Sequence, residues 1–150
     1  MVKFLIARRA RSKFKVNIFG CISLEKKGFI VAFDGNMNQE TYIEILIDHV
    51  MKFLESHSNF YEILFLQDNA RYHRTEAVEA VFASFGIRVQ WHPVYSPDLN
   101  PIELLWARLK VEITTEDRST MDKLINAIFT AFNKLTLEDI ANCTNIKKSS

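Results

Sequence analysis

The sequence predicts an α/β fold in which helices pack on a mixed sheet. Three observations carry this expectation. Ile63-Leu-Phe-Leu66 is a continuous apolar run, the mark of a strand covered on both faces. It lies between segments whose apolar residues recur at helical spacing, and a buried strand between helices demands a layered arrangement. Upstream, two apolar stretches flanking Lys26-Lys27-Gly28 read as a β-hairpin.

In chain order, Lys13 to Ser23 alternates loosely (Phe14, Val16, Ile18, Cys21) as the first hairpin strand, and Phe29 to Phe33 forms the second. Asp34-Gly35-Asn36 ends it. Asn38 then caps a helix with the stripe Tyr42, Ile45, Leu46, Val50 and Phe53. After the covered strand, Thr75 starts a helix carrying Val78, Val81, Phe82 and Phe85, which Gly86 terminates. Ile87, Val89 and Trp91 alternate as another strand. Asn100-Pro101 opens a helix with Ile102, Leu105, Leu109 and Ile113 inward, Pro suiting the first helical position. A further helix places Leu124, Ile125, Ile128, Phe129 and Phe132 on one face, and a short one follows at Leu137–Cys143. No internal repeat or low-complexity stretch occurs.

With 150 residues, 48% hydrophobic and 25% charged, the chain suits one globular domain with a real core. No apolar run approaches the length of a membrane span. Met1–Ala7 is too short for a secretory signal, and arginines follow it where a cleavage site would lie. Cys21 and Cys143 form no C-x-x-C pair and read as buried or half-buried thiols in a reducing compartment; with His49, His57, His73 and His92 scattered, no zinc spacing exists. The net charge of +1 is unevenly divided. Residues 1–15 hold six bases (Lys3, Arg8, Arg9, Arg11, Lys13, Lys15) and no acid, leaving 13 bases against 18 acids elsewhere. A basic arm on an acidic body suits a polyanion held near carboxylates, and equally a solvated charged terminus.

Two carboxylates stand out. Asp68 follows directly on the covered strand, and ligands of open α/β sheets bind outside the carboxyl ends of strands. Asp is also an ordinary turn residue, so a turn-capping role is the competing reading. Glu103 falls at the third helical position after Asn100 and Pro101, where the helix dipole favours an acid in any protein. It also lies at the edge of the Ile102, Leu105, Leu109 stripe, from which its side chain can reach past the core towards Asp68.

Together the two segments are far more specific. Asp68-Asn-Ala…His73, thirty-four intervening residues, and Glu103 within Tyr95-Ser-Pro-Asp-Leu-Asn-Pro-Ile-Glu103…Trp106 closely resemble the mariner superfamily of transposases. Phe19-Gly-Cys-Ile-Ser23, Asp34-Gly-Asn-Met-Asn38 and Tyr42-Ile-Glu-Ile-Leu46 are similar to the same family in the expected order. The interval ending in Glu resembles its nematode-element branch. Phe19 replaces the family's usual Trp and Val94 a common Pro, both packing changes.

The resemblance implies a ribonuclease-H-like mixed sheet flanked by helices. It also implies a metal-binding Asp, Asp, Glu triad that cuts and rejoins DNA phosphodiesters with two Mg²⁺ (or Mn²⁺) ions about 3.5–4 Å apart. Asp68 and Glu103 match the second and third acids. The family's first Asp, on the first and central strand, has no counterpart: residues 1–24 contain no acid, and Asp34 matches the hairpin-end turn instead. The expectation is therefore a partial catalytic domain over residues 13–113. It is preceded by a basic arm or surrogate strand at 1–12 and followed by a helical extension at 114–150. Val2–Ala7 is apolar enough to replace the missing strand beside Lys13–Ser23, giving a domain without catalysis.

Arg8, Arg9, Arg11, Arg71, His73 and Arg74 are candidate DNA contacts, with solvated surface side chains as the alternative. Asn69 is a candidate support for Asp68, Asp98 reads as a turn residue, and Trp106 reads as core. The implied partners are transposon-end and target DNA and a homodimer, with no membrane and no small-molecule cofactor, in the nucleus (the cytoplasm of a bacterium). The alternative function is a truncated transposon remnant that binds DNA or protein without cutting.

Overall fold

The computed structural model describes the backbone of residues 2–7 and residues 16–67, 74–91 and 101–144, with Trp91 and Thr144 described by backbone alone. Five strands form one mixed sheet in the order β3-β2-β1-β4-β5. β1 (Val2–Ala7) is central, antiparallel to β2 (Asn17–Ser23) and parallel to β4 (Leu64–Gln67). β3 (Lys27–Phe33) extends the antiparallel side and β5 (Arg88–Trp91) the parallel side. Val2–Ala7 thus occupies the middle of the sheet, supplying backbone donors and acceptors to β2 and β4 that would otherwise be orphaned.

Alternation along β2 divides the core. Ile18 and Ile22 pack with α4 (Pro101–Val111), α5 (Met121–Lys134) and α6 (Leu137–Thr144). Phe19 and Cys21 face α1 (Gln39–Ile45), α2 (Met51–Glu55) and α3 (Glu76–Phe85). Successive side chains of a strand point to opposite faces, so one strand nucleates both layers. α5 and α6 complete the core of one face.

The helix starts follow local chemistry. Asn38 accepts from the Thr41 N–H at 2.8 Å, Thr75 from Val78 at 3.2 Å and Thr120 from Lys123 at 3.1 Å. Gly86 ends α3 in the left-handed region, φ 70°, which glycine adopts without steric cost.

Three details differ from the sequence expectation. The hairpin turn is Leu24–Lys26, and β3 already starts at Lys27, two residues before Phe29. The first strand begins at Asn17; Val16 precedes it, and residues 13–15 lie outside the described residues. The helix after Asn38 is interrupted by a π-helical turn, Leu46–Val50. Its wider turn rotates the stripe, so that Met51 and Leu54 are buried while Phe53 is only half-buried.

Candidate functional site

β1, β4 and β5 run parallel and adjacent, so their carboxyl ends share one edge of the sheet. The chain segments that leave this edge carry the candidate residues. Arg8, Arg9 and Arg11 follow β1, and Asp68, Asn69, Arg71, His73 and Arg74 follow β4. The segment after β5 leads into α4 and Glu103. Asp68, Asn69, Arg71, His73, Arg8, Arg9, Arg11 and Asp98 lie outside the described residues. Arg74 is exposed and has an interaction partner, and Glu103 is half-buried.

The height of α4 against this edge follows from register. Lys3 pairs with Leu66, so β1 continues past the end of β4 over its last residues. Leu5, two residues further on, is in register with Gly20 of β2. Trp106 and Ile102 of α4 rest on Gly20: a Cβ built there would meet Trp106 Cη2 at 2.7 Å, Cζ2 at 2.8 Å and Ile102 Cδ1 at 3.6 Å. The first turns of α4 therefore cross the sheet at the carboxyl end of β4, and Glu103 is in the turn between Ile102 and Trp106. Trp106 is 6% exposed and belongs to the core, as read from sequence. Asp34-Gly35 forms the turn at the end of β3, Gly35 having φ 74°.

One residue at this edge was not singled out in the sequence. Gln67, the last residue of β4, is fully buried; its Oε1 accepts from the Tyr42 hydroxyl, and its Nε2 has no partner. Trp106 Nε1 is also buried without a partner. Such unpaired donors are rare and cost stability. The only prior signal for Gln67 was a polar side chain closing an otherwise apolar strand.

Carboxylate oxygens are the donors that hard divalent cations take. Of the two matched acids, Glu103 lies at the carboxyl edge, and β1 (Val-Lys-Phe-Leu-Ile-Ala) supplies no carboxylate. Among the described residues no three His, Cys, Asp or Glu side chains cluster to hold a metal. Among the described residues, Glu103 without a carboxylate from β1 is too small a donor set for a complete two-ion site. No described helix is long and apolar enough to cross a membrane.

The opposite edge holds a different polar cluster. Ser23 donates to His57 Nε2 at 2.6 Å, and the His57 Nδ1–H donates to the Phe53 carbonyl at 2.8 Å. The Lys26 N–H donates to Ser23 Oγ at 3.1 Å, and the Ser58 N–H and hydroxyl donate to Glu25. The Ser58 hydrogen bonds hold the Glu25 carboxyl below its usual range. Both cysteines are buried and free, and burial raises the Cys21 thiol well above its ordinary value.

A family model described as DDE superfamily endonuclease matches residues 5–125. The transposase of the transposable element Tc3 from Caenorhabditis elegans is 32% identical over 105 residues, 70% of this chain and 32% of that protein. The chain thus spans less than half the length of this curated relative. The crystal structure of the Mos1 mariner transposase catalytic domain superposes with TM-score 0.65 at 17% identity, covering 95% of this chain and 79% of that one. The Mos1 mariner paired end complex with Mn gives TM-score 0.69 at 16% identity, covering 95% and 54%. These likenesses show that the five-stranded sheet and its helices are a ribonuclease-H-like core.

Proposed function

Because the chain belongs to the DDE superfamily of endonucleases, we propose that it is a piece of the catalytic domain of a DNA transposase, working at the shared carboxyl edge of β1, β4 and β5. The observation that carries this reading is the seat of α4. Its contact with Gly20 brings the turn containing Glu103 to the height at which β4 hands over to Asp68.

Asp68 and Glu103 hold a divalent cation, Mg²⁺ or Mn²⁺, with Asn69 supporting Asp68. Bound there, such an ion supplies Lewis-acid stabilisation of charge on phosphodiester oxygens. Arg71, His73 and Arg74 after β4, and Arg8, Arg9 and Arg11 after β1, are the proposed DNA contacts, the arginines pairing with phosphates. The Mos1 transposase paired-end complex with left transposon end supports DNA as partner, and a homodimer is proposed as the working state. The expected compartment is the nucleus, or the cytoplasm of a bacterium.

The 150-residue chain is proposed to bind DNA without cutting it, because β1 brings no acid to the edge. The same observation favours the second reading, a remnant that acts only as a binding module. Both readings require DNA binding, and a cleavage assay separates them. Gel-shift titrations should show DNA binding that weakens steeply with salt, as phosphate contacts require. Supercoiled DNA with Mg²⁺ or Mn²⁺ should stay intact with this chain and be nicked by the Leu5→Asp variant, with Leu5→Asn as the uncharged control. Nicking by the unaltered chain overturns the inactive reading. Failure of a folded Leu5→Asp variant to nick favours the binding module.

A further inference from the structure

We propose that Gly20 is a positioning residue for Glu103: its bare Cα lets the Trp106 ring close on β2 and so sets how deep the first turns of α4 sit on the sheet. The inference rests on the reading that Glu103 ligates a divalent cation.

Three observations converge. The space above Gly20 is already filled, since a Cβ there would stand 2.7 and 2.8 Å from Trp106 Cη2 and Cζ2, closer than real Cβ contacts allow. Trp106 has nowhere obvious to retreat: it is 6% exposed, and Ile102, Leu105 and Leu109 of the same helix are buried around it. Finally, the indole N–H is buried without a partner among the described residues, so steric fit seats this side chain. Any larger residue at position 20 therefore lifts α4 from the β1–β2 pair. Glu103, three residues before Trp106, moves with it. A carboxylate ligand works only within a few tenths of an ångström of its geometry, on the order of 0.5 Å, so such a lift weakens metal binding at the edge.

The test uses backbone amide NMR of the whole 150-residue protein titrated with Mn²⁺, at a temperature where every variant is folded. In the unaltered protein Mn²⁺ should broaden the amides of Ile102, Glu103 and Leu104. Gly20→Ala should need at least threefold more Mn²⁺ for the same broadening. Gly20→Ala combined with Trp106→Phe, which removes the colliding part of the ring, should return within twofold of the unaltered protein. A purely structural role for Gly20 would lower thermal stability and leave the Mn²⁺ response of the folded molecules unchanged. That result, or a double variant that recovers stability without recovering the Mn²⁺ response, overturns the proposal while the metal reading stands. Absence of broadening at α4 in the unaltered protein overturns the metal reading itself, and the positioning role falls with it. Should Gly20→Ala fail to fold, the double variant decides, and loss of its Mn²⁺ response counts against the proposal.

Discussion

The two ends of the sheet are built to opposite specifications. At the end where β2 finishes and β4 starts, each polar group of the Ser23, His57, Glu25 and Ser58 cluster finds a partner within the protein. His57 also stands edge-on to Phe53, ring centroids 4.7 Å apart. At the carboxyl end of β4, Gln67 Nε2 and Trp106 Nε1 are buried with no partner. Satisfied polar networks rigidify a fold, while unpaired buried donors lower its stability. One end holds the scaffold, and the other is the edge at which the Asp68–Glu103 site is proposed.

Substitutions should break this contrast in a definite order. The largest effect is expected at the tied end from Gly28→Ala. Gly28 has φ 136°, and a Cβ would lie 2.1 Å from the Cys21 carbonyl oxygen. Backbone strain plus overlap should cost about 3 kcal/mol or more, read by urea denaturation. Next, His57→Ala removes both its hydrogen bonds and the Phe53 contact. It should cost about 2–4 kcal/mol and leave DNA binding of the folded protein unchanged. A loss of DNA affinity there would erase the division of labour between the ends.

At the carboxyl end the pattern should invert. Replacing both members of the Tyr42–Gln67 pair with Phe and Leu removes a hydrogen bond and an orphan donor together. Stability should stay within about 1 kcal/mol. A loss comparable to that of His57→Ala would show that this end is scaffold too.

The smallest effect is acid sensitivity. Glu25 is held below its ordinary value of 4.5 by Ser58, and Asp117 and Asp139 below 3.8 by the N–H groups of Thr114 and Thr136. Depressed carboxyls stabilise the folded chain above their unfolded values and lose that contribution as pH falls through the folded ones. The melting temperature should therefore be flat above about pH 5 and drop modestly below about pH 4, because Glu25 is exposed and Asp117 and Asp139 are only half-buried.

Much of this was legible in the residues. Asn38, Thr75 and Gly86 act where their chemistry predicted, because caps are set by local backbone geometry. Val2–Ala7 forms the strand that the sheet requires. The π-helical turn at Leu46–Val50 was not legible, since the apolar residues there satisfy a 3.6 period almost as well as a wider one. Ser23 and His57, thirty-four residues apart, meet only through the tertiary fold, and no local signal joins them. Gly20 entered only within the Phe19–Ser23 resemblance, and its close contact with Trp106 is visible only in the fold. The Thr136–Asp139 reciprocal hydrogen bonds form a helix cap that the sequence reading did not single out.

Calorimetric titration of the 150-residue protein with Mn²⁺ tests the pairing of Asp68 with Glu103 most directly. The unaltered chain should show one saturable site. Asp68→Asn and Glu103→Gln should each weaken it at least tenfold, and the double variant should do little more than either alone. Mn²⁺ affinity left intact by either single substitution would contradict a shared ion.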